Sequence, residues 1–485
     1  VIFVRVNRKD RKDIRLSTGI SKILVATAAP FPAEAPTVRT RGLGSVGAVV
    51  QSVGAKFFII AINAATGILS ARALQPAGRG ELAAMILWPI FLASALTFGL
   101  PSALTFRLRS SPEKRSRLLG AALILATLTG LIGALAGVIF MHAWIPQYSH
   151  HVIEFARLFV LNAPMTAVLM VGRAALESDG DFTASNKVLV IPPALTLLWL
   201  IVLWRVGLLT PVNAAVAYVV VGVPPFIWML VRLWRMFQPS VDSFLDSTRS
   251  LLSYGIRAYG IDLCGTMSMY IDQALVVRAL APQMMGTYVV ALSLSRILNA
   301  FHSSVVMVLF PKAVSQAPDV VRQMTSRAAR ISTLLTALAG VGIVSLGPHL
   351  LSLLYGREYT GATTVLRILV LEVVLSGGTF VLSQAFMALE RPGVVTALQV
   401  IGLLFTLPLM LVLIPRLGIV GAGLALLAST TARLIFVLVS FPLFLKMRIP
   451  NVFPMVEDLK FMAVHAFHTV QHFRNRPVVA AEGAD

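Results

Sequence analysis

The chain has 485 residues, 57% of them hydrophobic and 13% charged, about half the charged share of an ordinary soluble domain, roughly 25%. That composition excludes a soluble globular protein and leaves an all-α membrane protein as the expected class. The formal charge of +20 raises nucleic acid as a partner, so the placement of the Lys and Arg residues has to decide.

Residues 1–45 ("RVNRKDRKDIR", "PFPAEAP") hold too few large apolar residues to build a core, and the expectation is a disordered basic cytoplasmic arm. No long apolar stretch resembling a cleaved signal precedes the first span. Twelve apolar runs follow, near 46–71, 82–106, 118–145, 152–174, 183–204, 212–234, 250–277, 285–310, 328–354, 362–388, 394–414 and 419–445. Each approaches the roughly 20 residues that a hydrocarbon core of about 30 Å requires. Pro192 and Pro193 in the fifth run, and Pro224 and Pro225 in the sixth, are expected to bend or interrupt their helices. The tail, 446–485, is expected to be cytoplasmic, with Asn451 to Arg476 forming an amphipathic helix on the membrane surface. His465, His468 and His472 lie there without a Cys or carboxylate at ligand spacing, so they read as a polar helix face and no metal site is expected. The single cysteine, Cys264, excludes an intrachain disulfide and reads as a structural thiol.

Most of the 41 Lys and Arg fall before residue 46, between Arg107 and Arg117, and in every second segment thereafter. The opposite loops carry only Arg72, Arg79, Arg205, Arg278, Arg357 and Arg416. This is the positive-inside pattern, with an even number of spans and both termini cytoplasmic. It assigns the charge to topology, and no nucleic-acid partner is expected.

An internal repeat runs through the spans. "RALQPAGRG" from Arg72 matches "RALAPQMMG" from Arg278, "ALESDG" from Ala175 matches "ALERPG" from Ala388, and "RVG" from Arg205 matches "RLG" from Arg416. The spacing is nearly constant and each pair falls on one side of the membrane, so two parallel six-helix repeats are expected around a central cavity. The boundaries are an N-terminal bundle at 46–237, a cytoplasmic linker at 238–248 and a C-terminal bundle at 249–445. Parallel halves that rock against one another make transport the leading class.

An ionisable side chain at mid-membrane costs about 2.5 to 3.5 kcal/mol on insertion scales. The basic ones inside spans are Lys56, Arg157, Arg257, Arg296, Arg367 and Arg433, and the acidic ones are Asp262, Asp272 and Glu372, with Glu154 near an end. They fit either ion pairs between helices or a cavity of positive potential for an anionic substrate, with carboxylates for a coupling ion. Lys56, Arg296, Arg433 and Arg257 are the candidates for substrate anion, and Asp272, Glu372 and Asp262 for ion coupling or gating. On an ideal helix Arg257 and Asp272 lie about 60° apart, and Asp262 about 140° from Arg257. Asp272 has the neutral Thr66 at the matching position of the first repeat. His302 reads as a buried neutral histidine. The sequence contains no HExxH, GxSxG or P-loop, so no catalytic residue, no cofactor and no enzymatic activity are expected.

Three stretches carry a resemblance. "YIDQALVVRALAPQMMGTYVVA" from Tyr270, "LLSLLYGREYTGATTVLRIL" from Leu350 and "MALERPGVVTALQVIGLLFTLPLMLVLIPRLGIVGAGLALLAST" from Met387 resemble patterns of the polysaccharide exporters in the MATE-like flippase superfamily, over about residues 46 to 445. The chain is most similar to Wzx-type flippases. The resemblance implies that it moves undecaprenyl-pyrophosphate-linked oligosaccharides from the cytoplasmic to the periplasmic leaflet of a bacterial inner membrane. It also implies membrane lipids as partners, with a polysaccharide polymerase and a chain-length regulator nearby. The alternatives are a multidrug exporter, expected to show surplus cavity carboxylates, and a lipid II flippase, expected to have fourteen spans. From another class, a polysaccharide polymerase or ligase is expected to carry a large periplasmic loop, and no loop here is that long.

Overall fold

A computed structural model describes residues 45–314 and 316–452. The basic arm and the tail from 453, with its three histidines, lie outside the described residues. Two compact units divide the described residues, one of 45–285 with Arg391–Leu403, the other of Gly286–Glu390 with 404–452.

In the first unit, α1 (Ser45–Ala95) breaks at Gln75, whose φ of 58° is left-handed. Pro76 follows and cannot donate the hydrogen bond that would carry the helix on. This break falls inside the segment expected to join the first two spans. After it come α2 (Leu100–Ser110), α3 (Arg115–Trp144), α4 (His150–Val160), α5 (Ala163–Ser178) and α6 (Phe182–Val206). Then α7 (Pro211–Val220), α8 (Val223–Phe237) and α9 (Phe244–Ala279) complete the long helices of this unit. The proline pairs differ in effect: α6 continues through Pro192 and Pro193, whereas the sixth expected span is interrupted between α7 and α8, with Pro224 in the first turn of α8. Side-chain caps set several starts: Ser149 accepts from Val152 N, Asp181 from Ala184 N and Thr210 from Asn213 N, each satisfying an otherwise orphaned N–H.

The second unit contains most of α10 (Pro282–Arg296), α11 (Asn299–Ala313), α12 (Pro318–Leu350), α13 (Thr363–Ala388) and most of α14 (Pro392–Leu445). α14 breaks at Gly418 (φ 59°, ψ −136°). Its two parts fold back on one another, Thr406 Oγ1 donating to Ser429 Oγ at 2.7 Å. Gly207, which the expected repeat pairs with Gly418, also adopts a left-handed φ, of 75°. Both Arg-x-Gly turns therefore use the one residue that enters this region without strain.

The packing is that of a helix bundle in lipid. On α3 the large apolar residues Leu131, Ile132, Leu135 and Ile139 are each more than half exposed, while Gly130, Gly133, Ala134 and Gly137 are buried. Small residues face the neighbouring helices so that backbones approach closely, and large ones face outward, where only hydrocarbon makes their exposure favourable. Among the described residues, nine helical stretches are long and apolar enough to cross a membrane. Two of them, Phe57–Ala95 and Pro392–Leu445, contain the breaks at Gln75 and Gly418. α9 has the length, at 36 residues, but its polar residues, Asp262 and Asp272 among them, keep it out of the nine.

Candidate functional site: charged groups at membrane depth

In the second unit the structure joins two of the candidates. Glu372, on α13, accepts from Thr430 Oγ1 at 2.7 Å, and Thr430 accepts in turn from Arg433 Nη2 at 2.8 Å. Thr430 and Arg433 lie three apart on α14 and so share a face. The hydroxyl has no exposure to solvent or lipid. A carboxylate can only accept and a guanidinium can only donate, so the hydroxyl proton points to Glu372 and its lone pair to Arg433. Arg433 Nε is buried and meets no acceptor, leaving a charged donor for another group.

His302, on α11, sits beside this array. Its Nδ1 lies 2.8 Å from Ser332 Oγ and its Nε2 lies 3.3 Å from the Val373 carbonyl. The carbonyl only accepts, so Nε2 carries the proton and Nδ1 takes one from Ser332. The ring is engaged at both nitrogens and clamps α11, α12 and α13 together. It fits because position 377 has no side chain: a Cβ on Gly377 would lie 1.7 Å from the imidazole.

In the first unit, α9 presents Gly255, Tyr259 and Asp262 to the turn between α1 and α2. A Cβ on Gly99 (φ 69°) would lie 2.3 Å from the Gly255 carbonyl oxygen, the Tyr259 hydroxyl donates to the Ala95 carbonyl, and Ser102 Oγ donates to Asp262 Oδ2 at 3.2 Å. A half-buried carboxylate thus stands beside an interruption in a membrane-depth helix. Arg257 is exposed, off the face that carries Asp262, in keeping with the 140° spacing. Asp272 is 1% exposed, and Thr66, which stands at the matching place of the expected repeat, 4%; both positions are buried, and only Asp272 is ionisable. Arg296 is half-buried as the last residue of α10, where a cation suits the helix dipole. Lys56 lies on α1, and its side chain is outside the described residues.

Sequence reasoning missed three features. Thr430 carries no signal by itself, because the role of a hydroxyl between two charges is legible only once α13 and α14 are placed. Arg79, assigned to a loop, is 8% exposed in the first turn after the Gln75 break and interacts with Tyr218. The "ALESDG" turn is a network: Arg115 pairs with Asp179 at 3.1 Å, Arg173 with Glu177 at 2.9 Å, and Arg232 Nε with Asp181 Oδ2 at 2.7 Å. Among the described residues no group of three or more His, Cys, Asp or Glu side chains is placed to hold a metal ion.

These features define a polytopic all-α membrane protein with charged side chains held between its helices, and its fold is shared with known transporters. A lipid II flippase, MurJ, in an inward closed conformation superposes with a TM-score of 0.71 at 15% identity, over 88% of this chain and 93% of that one. A multidrug resistance MATE family transporter of the MOP superfamily, inward-facing, superposes with a TM-score of 0.64 at 16% identity, over 80% and 95%. At such identities the likeness shows the fold alone.

The chain belongs to the polysaccharide biosynthesis protein family, whose sequence model matches residues 69–364. It is also similar to a probable low-salt glycan biosynthesis flippase, Agl15, of Haloferax volcanii, with 28% identity over 184 residues. That match spans 37% of this chain and 39% of the relative's length.

Proposed function

We propose that the protein is a flippase that moves an undecaprenyl-pyrophosphate-linked oligosaccharide from the cytoplasmic to the periplasmic leaflet of a bacterial inner membrane, by alternating access, for surface polysaccharide synthesis. The observation that carries the reading is Arg433, a guanidinium at the middle of an apolar helix, oriented by Thr430 and with Nε left without an acceptor. Guanidinium donors bind phosphate through charge-assisted hydrogen bonds, the strong kind. A pyrophosphate supplies the acceptors, and the lipid tail stays in the bilayer.

Membership of the polysaccharide biosynthesis family and the similarity to a glycan flippase support a lipid-linked glycan over a drug. In this reading the chain has twelve spans in two parallel repeats with both termini cytoplasmic. Arg296, Arg257 and Lys56 contribute to anion binding, and Asp262, Asp272 and Glu372 serve ion coupling or gating. No bond in the substrate is made or broken, so the chain needs neither nucleophile nor cofactor.

The test is deletion of the gene in a strain with no second exporter. Lipid-linked repeat units are expected to accumulate on the cytoplasmic leaflet, with loss of surface polysaccharide. Wild-type surface polysaccharide in the deletant rules the function out.

A further inference from the structure

A groove of about 490 Å³ lies in the second unit where α14 ends, lined by Pro318, Asp319 and Arg322 of α12 and by Leu445, Lys446, Met447 and Arg448. Its volume is within the range of ligand pockets, roughly 300 to 1,000 Å³. It is built by a strap that leaves α14. Lys446 adopts a left-handed φ of 54°, Met447 N donates to the Phe441 carbonyl at 3.3 Å, and the Asn451 carbonyl accepts from Ser326 Oγ at 2.8 Å and Arg330 Nη1 at 3.2 Å. The strap is thereby tied along the first turns of α12 and carries Lys446 and Arg448 to the side of Arg322.

Three cations meet one carboxylate there, and that carboxylate neutralises little. Asp319 is 83% exposed, and its Oδ1 lies 3.8 Å from Arg322 Nε, so the pair is weak. Arg322 Nε is buried and forms no hydrogen bond, a donor that is costly to leave unmet. The start of α12 adds its dipole to the same side, its N-cap Ala317 providing no side-chain acceptor. All of this favours an anion with several oxygen acceptors.

The position narrows the anion. Leu445 ends a helix that carries no charge after Arg433, whereas α12 is polar through Arg330 and apolar after it, so the groove lies where hydrocarbon gives way to water. Leu445, Met447 and Pro318 provide an apolar wall beside the cations. A free phosphate has no use for that wall, whereas an amphiphile fits both parts.

We propose that this groove binds the phosphate headgroup of an anionic phospholipid, separately from any site for transported substrate. Basic pockets at the cytoplasmic ends of membrane helices have this chemistry. The lipid would lock the end of α14 to the start of α12, so that the surrounding membrane's charge bears on the second unit.

The test uses the full chain, titrated in detergent with phosphatidylglycerol or phosphatidylcholine and read by native mass spectrometry as lipid retained. The wild type is expected to hold phosphatidylglycerol at least tenfold more tightly than phosphatidylcholine. Arg322→Gln with Arg448→Gln should weaken retention roughly 25-fold, at about one charge-equivalent of surface attraction per cation. Lys446→Gly removes one cation while suiting the left-handed turn, so it keeps the fold and should weaken retention roughly fivefold. Equal retention by wild type and Lys446→Gly overturns the proposal. So does a wild type that binds inorganic pyrophosphate in a parallel titration and shows no preference for phosphatidylglycerol.

Discussion

Arg433 reaches Glu372 through one hydroxyl, that of Thr430, which accepts from the guanidinium at 2.8 Å and donates to the carboxylate at 2.7 Å. The charges of α13 and α14 are thus coupled without direct contact. Thr430→Val keeps the shape and removes the link. Hydrogen bonds between helices within a membrane protein are worth about 0.6 kcal/mol on average and up to about 1.7, so stability in detergent should fall within that range, and polysaccharide export should fall with it. Thr430→Ser should restore both. Export at the wild-type level in Thr430→Val would reduce the hydroxyl to packing.

His302 and Gly377 form a matched pair, the ring occupying the space where a Cβ would stand. Gly377→Ala should therefore cost about 1 to 3 kcal/mol through overpacking, read as a lowered unfolding temperature. His302→Ala in the same chain should recover part of that loss. Equal, additive losses in the double variant would mean that the two positions do not share this space.

Asp262 offers a charge that can be removed with little change of shape. In Asp262→Asn the side-chain oxygen can still accept from Ser102, whereas the carboxylate charge is gone. If Asp262 couples export to an ion gradient, the variant should reach wild-type protein levels while its export no longer responds to collapse of the proton or sodium gradient. A variant whose export keeps the wild-type gradient response assigns Asp262 to helix packing.

Arg296→Ala separates binding from folding. Export should fall at least tenfold, the loss of one charge-assisted contact of about 1.5 to 3 kcal/mol, with normal protein in the membrane. Loss of the protein itself would mark Arg296 as a structural ion-pair partner.

The helices were legible because hydrocarbon imposes a length and a composition that few segments meet by chance. The breaks at Gln75 and Gly418 fall where charge and Gly or Pro already interrupted the apolar runs. The proline pairs were only half legible: Pro192 and Pro193 sit inside a continuous α6, since neighbouring groups in a bundle can satisfy what a proline frees. Candidate charges were found by depth alone, and depth does not say what a charge faces. Periodicity did place Arg257 off the face of Asp262, because both belong to one helix. The Glu372–Thr430–Arg433 array joins α13 to α14, and no spacing rule predicts which residues of two helices meet.

Translocation itself is the most direct test. Purified protein is reconstituted into liposomes carrying an undecaprenyl-pyrophosphate-linked oligosaccharide, and the fraction of glycan open to an enzyme added outside is followed over time. Flipping requires that fraction to rise beyond the share initially in the outer leaflet in liposomes with wild-type protein, and to stay there in protein-free liposomes and with Arg433→Ala. Equal accessibility with and without the protein would contradict it.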